Sequence, residues 1–309
     1  MKDDYQYGGQ AVIEGVMMRG RDRMAIAVRR NPEEIVVHQE SVGSIAKKYP
    51  VLKIPFIRGV VALCESFAMG LKSLLFSANQ FIEEDQQQKL SPLETIFMVA
   101  IALLLTVVLF VLLPLGARSL MGNLTKATIW LNLGEGMIRA LILILYILLV
   151  SLLKDIRRVF AYHGAEHKTI HAYEAKEELT VQNVQKYTTM HPRCGTSFLL
   201  FVVVISALLF SILGRQTILM RIISRILLLP IVAGFSYELI KFAGRHSSIW
   251  IVRWISAPGL WLQRLTTRQP DDHMVVVAIA AMKCAINPHD DQADLVIKTS
   301  IESDLAVGS

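Results

Sequence analysis

What this 309-residue chain has little of is charge. Asp, Glu, Lys and Arg make up only 19% of it against 53% hydrophobic residues, and the mean hydropathy is positive. That balance excludes an ordinary soluble enzyme, which needs more polar surface to cover a globule of this size. Cysteine is scarce too: Cys64, Cys194 and Cys284 are widely spaced and build no disulfide framework, so a reducing compartment is expected. Dense basic runs are also missing. The net charge of +6 is spread along the chain, which argues against a nucleic-acid partner and fits loops facing anionic headgroups. The first nine residues hold no apolar core of an export signal, and no cleavable signal is expected.

What is present is a set of long apolar runs. Crossing a bilayer takes roughly 20 residues, and four runs come near that length: 94–116, 136–153, 196–213 and 219–240. Arg221 and Arg225 sit in the first two turns of the fourth, where they are expected to snorkel to an interface. The second and third are expected to carry no ionisable residue at membrane depth, which makes a transport path the least favoured function. Between them lie Lys154, Arg157, Arg158, Lys168, Lys176, Lys186 and Arg193, a basic excess that assigns this segment and both termini to the cytoplasm. The expected fold is therefore mainly α and polytopic, a multi-pass protein of the inner membrane with four transmembrane helices.

Shorter segments frame these runs. Residues 1–50 read as a cytoplasmic β-rich segment, with Met24–Arg30 and Glu34–Glu40 flanking a turn at Asn31-Pro32-Glu33 as a hairpin. Residues 53–82 read as an amphipathic, interfacial helix, because Arg58, Glu65 and Lys72 recur every seven residues; whether it enters the membrane is open. The membrane domain then covers 94–240, with an insertion at 154–195 that joins the β-hairpin-containing headpiece. Residues 246–286 read as interfacial and C-terminal helices, and 287–309 as a disordered tail.

One stretch stands out chemically: His163-Gly-Ala-Glu166-His167-Lys-Thr-Ile-His171-Ala-Tyr-Glu174. At about 100° per residue, its three histidines and two glutamates fall within a helical arc of roughly 140°. Imidazole nitrogens beside carboxylates are what a divalent transition metal needs. His163 to His167 also matches H-x-x-E-H, two ligands one turn apart with a glutamate as general base, which makes Glu166 the catalytic candidate. A merely solvated histidine face is the competing reading. His163 and His167 are the most economical ligand pair. Spacing does not choose the third among His171, Glu174, His191, Cys194 and Glu238, although His191-Pro-Arg193-Cys194 begins the third apolar run at a good metal-ligand spacing. Arg193 could neutralise an anionic substrate. Glu14 and Arg19, in Gln10-Ala-Val-Ile-Glu14-Gly-Val-Met-Met-Arg19, read as a surface ion pair or as members of the site.

Three motifs, Gly8–Gly20, His163–Glu174 and His191–Ser197, together resemble the bacterial membrane proteins of the DUF1385 (YqhQ-like) family. Members of that family are described as predicted metal-dependent enzymes. The resemblance implies a bacterial source, and it moves Glu14 and Arg19 toward the site. The expectation is a membrane metal-dependent enzyme, a hydrolase using zinc at the cytoplasmic surface of the bilayer. A non-enzymatic scaffold or regulator with a structural metal is the alternative, and a transporter ranks behind it. Substrate, metal identity, third ligand and self-association stay open.

Overall fold

The computed structural model describes residues 7–43, 45, 49–80, 91–122, 127–214, 216–246, 249–286 and 295–298. Its N-terminal part is an antiparallel sheet in simple sequence order: β1 (Gly8–Val12), β2 (Gly15–Arg19), β3 (Arg23–Asn31), β4 (Glu34–Ser41) and β5 (Leu295–Lys298). The hairpin expected across Asn31-Pro32-Glu33 is the β3–β4 pair. The disordered tail expected from residue 287 is corrected at Leu295–Lys298, which pairs with β4; the rest of it lies outside the described residues.

Alternation along the strands makes the sheet two-faced. Val16, Met18, Ala25, Ala27, Ile35 and Val37 point to one side, and Val12, Met17, Met24, Ile26 and Val28 to the other. Both faces are buried. The second packs on Met69 and Phe76 of α1 (Ile57–Asn79). The first packs on two helices far away in sequence, α5 (Lys154–Glu174) and α10 (Asp272–Ile286). The headpiece is thus a layer of sheet between helices, and α10 belongs to it as fully as the 154–195 segment does.

The apolar runs form the remaining long helices. α2 (Pro92–Val107) begins with a capping box, Ser91 and Glu94, and continues through a π-turn at Val108–Leu112 into α3 (Leu113–Met121). Pro114 explains the irregularity, since it has no N–H to return to the carbonyl of Phe110. α4 (Thr128–Val150) packs on α3, α7 (Gly195–Ile212) on α4 and α8 (Ile218–Arg245) on α7; α6 (Val181–Gln185) is a short turn in the headpiece, and α9 (Trp250–Thr266) lies against α7. Among the described residues five helices are long and apolar enough to cross a membrane, one more than expected, because α1 also meets that measure. With large apolar side chains exposed along them, they make this a multi-pass membrane protein.

One expectation fails here. The second run starts earlier, at Thr128, and carries two buried charges, Glu135 and Arg139. Glu135 lies just before the run as drawn from sequence, and Arg139 stands inside it among apolar neighbours.

Candidate metal centre

α5 carries the histidine stripe, but it is not a one-sided helix. From Gly164 to Ile170 every residue is buried, because sheet and α10 cover one side and the 185–191 and 263–268 segments cover the other. Gly164 permits that approach: a Cβ there would stand 2.0 Å from the carbonyl oxygen of Arg268. α7 brings in Cys194 as its N-cap residue, the sulfur accepting from the Thr196 N–H.

Three donors converge. One ligand atom each from His163, His167 and Cys194 lies within 4.8 Å of the others, and His163 Nε2 is 3.2 Å from Cys194 Sγ. Ligand distances of about 2.0 Å for nitrogen and 2.3 Å for sulfur set a tetrahedral edge of about 3.5 Å. Both imidazoles are oriented from behind. His163 Nδ1 lies 2.9 Å from the Thr266 carbonyl, and His167 Nδ1 bonds the Thr189 carbonyl. A proton on each Nδ1 leaves each Nε2 lone pair toward the sulfur, the arrangement that metal-binding histidines ordinarily have.

The opposite wall is polar and buried. The donors line a cavity of about 100 Å³ together with Glu166, His191, Arg193 and the backbone of Gly8 and Gly9. Glu166 Oε2 stands 3.8 Å from His163 Nε2 and 4.0 Å from His167 Nε2. Burial holds its carboxyl above the usual range, opposed by the nearby His163 and His191 and by the Gly9 N–H, which donates to it. β1 reaches that carboxylate because residue 9 is glycine; a Cβ would meet Met17 O at 2.6 Å and Glu166 Cγ at 2.8 Å. Among the described residues His191 Nε2 is buried without a hydrogen-bond partner, 3.6 Å from Glu174 Oε2. A buried imidazole nitrogen with no hydrogen bond, on the same cavity as three converging donors, fits a site shaped for a cation. Burial also lowers the proton affinity of His167 and His191, which keeps them neutral and able to donate lone pairs.

The remaining candidates fall into separate groups. His171, Glu174 and His191 form a second possible cluster, but Glu174 is exposed and already closely paired with Arg193, and His171 Nε2 bonds the Met190 carbonyl at 2.9 Å. Burial pushes the His171 pKa down to about 4. Glu14 is not on the cavity: it sits in the β1–β2 turn at φ 50°, close-paired with Arg158 and bonded by Tyr162. Arg19 pairs with Glu65 at 3.5 Å, and Glu238 with Arg58 at 2.5 Å. Lys168 turns away to Gln185.

Sequence reasoning missed the residues that hold the site in place. Gln263, fully buried on α9, accepts from the His191 N–H and donates to the His191 carbonyl, both at 2.8 Å, fixing the loop that carries Cys194. Nothing local to Gln263 marks it, because its partners lie 72 residues away.

Apolar helices and a His/Glu/Cys donor set define a multi-pass membrane protein with a cluster able to coordinate a metal ion. The family model described as "Protein of unknown function (DUF1385)" matches residues 54–288, and the chain belongs to that family. That match contains the histidine helix and the Cys194 loop and begins after β4. A relative from Bacillus subtilis (strain 168), carrying the name "Uncharacterized protein YqhQ", is 35% identical over 289 residues, which cover 88% of this chain and 90% of the relative. No solved structure matches the chain.

Proposed function

We propose that this protein is a metal-dependent hydrolase of the bacterial cytoplasmic membrane, with His163, His167 and Cys194 as ligands of a divalent metal, zinc by preference. The observation that carries the reading is the convergence of these three donors on a cavity whose far wall is a buried carboxylate. Imidazole with thiolate suits zinc, and three protein ligands with an open position mark catalytic zinc sites. When bound, the ion would polarise a substrate carbonyl or phosphoryl group and activate water near neutral pH.

The chain's own groups would do the rest. Glu166 takes a proton at Oε2 and returns it to a leaving group, and its burial raises its proton affinity toward the working range of a general base. The Gly9 N–H holds that carboxylate in place. Arg193, on the cavity wall, would meet a negative charge on the substrate, with Glu174 steadying it. A cavity of about 100 Å³ admits the reacting group and leaves the rest of the substrate outside.

Parity supports four crossings. β1 packs on α5, so the chain between β4 and α5 crosses the membrane an even number of times. α2–α3 and α4 supply two. α1 lies along the sheet through Met69 and Phe76 and does not cross, in keeping with an interfacial helix. α7 and α8 supply the other two, and the basic 154–193 segment puts the headpiece in the cytoplasm.

A scaffold with a structural metal has one observation in its favour: His191 lines the same cavity as the three donors and offers a further imidazole. The test is metal content of full-length protein purified without a nickel column. About one zinc per chain, absent from His163→Ala/His167→Ala, is expected, with Glu166→Gln keeping its metal while losing hydrolysis. Metal-free wild type would overturn the reading. Loss of metal from His191→Ala would favour the scaffold.

A further inference from the structure

At the other end of the membrane domain lies a second polar cluster that the proposed chemistry does not use. α7 begins at the metal centre and ends there, 18 residues or about 27 Å away. Glu135 of α4 is its centre, with its side chain only 3% exposed. Three guanidinium groups share it: Arg139 at 3.1 Å on Oε1, and Arg225 at 2.5 Å and Arg118 at 3.6 Å on Oε2. Neutral partners take up some of their N–H groups. Arg139 donates to Ser206 and to the Phe110 carbonyl, whose usual i+4 donor is replaced by Pro114; Arg118 donates to Asn132. Arg225 lies 5.3 Å over the Phe210 ring, and its Nη1 is buried without a hydrogen-bond partner among the described residues.

The charges do not balance. Among the described residues, three buried arginines face one carboxylate, an excess of two positive charges between apolar helices. Uncompensated charge there is costly to bury, and polar networks at membrane depth mark functional sites. Beside the cluster opens a cavity of about 310 Å³, lined by Arg118, Ser119, Thr128, Gln216 and a further arginine, Arg221, one turn before Arg225 on α8. Arg118 belongs to both cluster and cavity. Exposed Leu120, Ile129, Leu219 and Met220 stand on the same helix ends.

We propose that this cavity binds a phosphate-class anion, with Arg118 and Arg221 as the contacting groups and the Glu135 cluster holding Arg118 in place. Guanidinium forks match phosphate oxygens, and a bound anion offsets the excess charge that Glu135 leaves. The anion is either the headgroup phosphate of a membrane lipid or a free phosphate, and the two are separable. This site is independent of the metal reading.

The test uses full-length protein in nanodiscs of phosphatidylcholine, alone or doped with phosphatidylglycerol. Native mass spectrometry then counts retained phosphatidylglycerol, and calorimetry in the undoped discs follows added inorganic phosphate. Arg221→Ala is the main variant, since Arg221 is half-buried at the start of α8 and its loss leaves the Glu135 network whole. Arg118→Gln serves as the second where it folds. Selective retention of phosphatidylglycerol, weakened about tenfold in Arg221→Ala, establishes a lipid headgroup as the source. Phosphate binding weakened to the same degree establishes a free anion. Binding of neither probe, or binding equal in wild type and Arg221→Ala, overturns the proposal.

Discussion

The two buried polar clusters of this protein are built on opposite plans. The candidate metal centre collects lone-pair donors: burial keeps the His167 and His191 imidazoles neutral, and Nδ1 of both His163 and His167 is tied to a backbone carbonyl. The arginine cluster collects formal charge, three guanidinium groups around one carboxylate. The first is a set of lone pairs waiting for a cation, and the second a surplus of cations beside a cavity. The difference shows that buried polarity in a membrane protein has to be read by the sign of what it lacks.

The comparison is broken most severely at its charged end. Glu135→Ala leaves three buried arginines without their shared carboxylate, and a loss of about 3–5 kcal/mol is expected. Yield and Tm in detergent measure it; an unchanged Tm would mean that water reaches the cluster. At the metal end the expected effect falls on affinity instead. The His163→Ala/His167→Ala protein should stay folded while its zinc affinity drops at least a hundredfold, followed by a chelator competition. Gly9→Ala should cost about 1–3 kcal/mol, since its Cβ overlaps Met17 O and Glu166 Cγ. Gln263→Ala should lower metal affinity about 10- to 100-fold with a smaller fall in Tm, because it frees the His191 loop.

The smallest expected effect is a pH slope in the headpiece under chelator. The His171 pKa is pushed down to about 4 by burial, so folding favours its neutral form. Stability from this group is full above 6.5, its ordinary value, and is lost as pH falls toward 4. His171→Gln should flatten that part of an acid unfolding curve. An unchanged curve would assign the slope to other groups.

Legibility differed between the two clusters for a physical reason. His163, Glu166 and His167 lie within five residues of one helix, so a period of about 100° per residue places them together before any tertiary contact is known. Cys194 was one of five possible third ligands, and only the packing of α7's first turn against α5 put its sulfur 3.2 Å from His163. The arginine cluster draws on α3, α4 and α8; Arg118 and Glu135 fall just outside the apolar runs, Arg139 inside one, and Arg225 reads as a snorkelling end. Glu135 and Arg225 alone are 90 residues apart.

The sequence by itself determined the membrane class, the hairpin of β3 and β4 and the histidine stripe, all of which follow from local periodicity and composition. Only the tertiary structure decided that α10 and β5 complete the headpiece, that Glu14, Arg19 and Glu238 pair elsewhere, and that Gln263 holds the site loop. Those outcomes depend on contacts between segments far apart in the chain, and no local pattern specifies which distant carbonyl, glycine or guanidinium a side chain will meet.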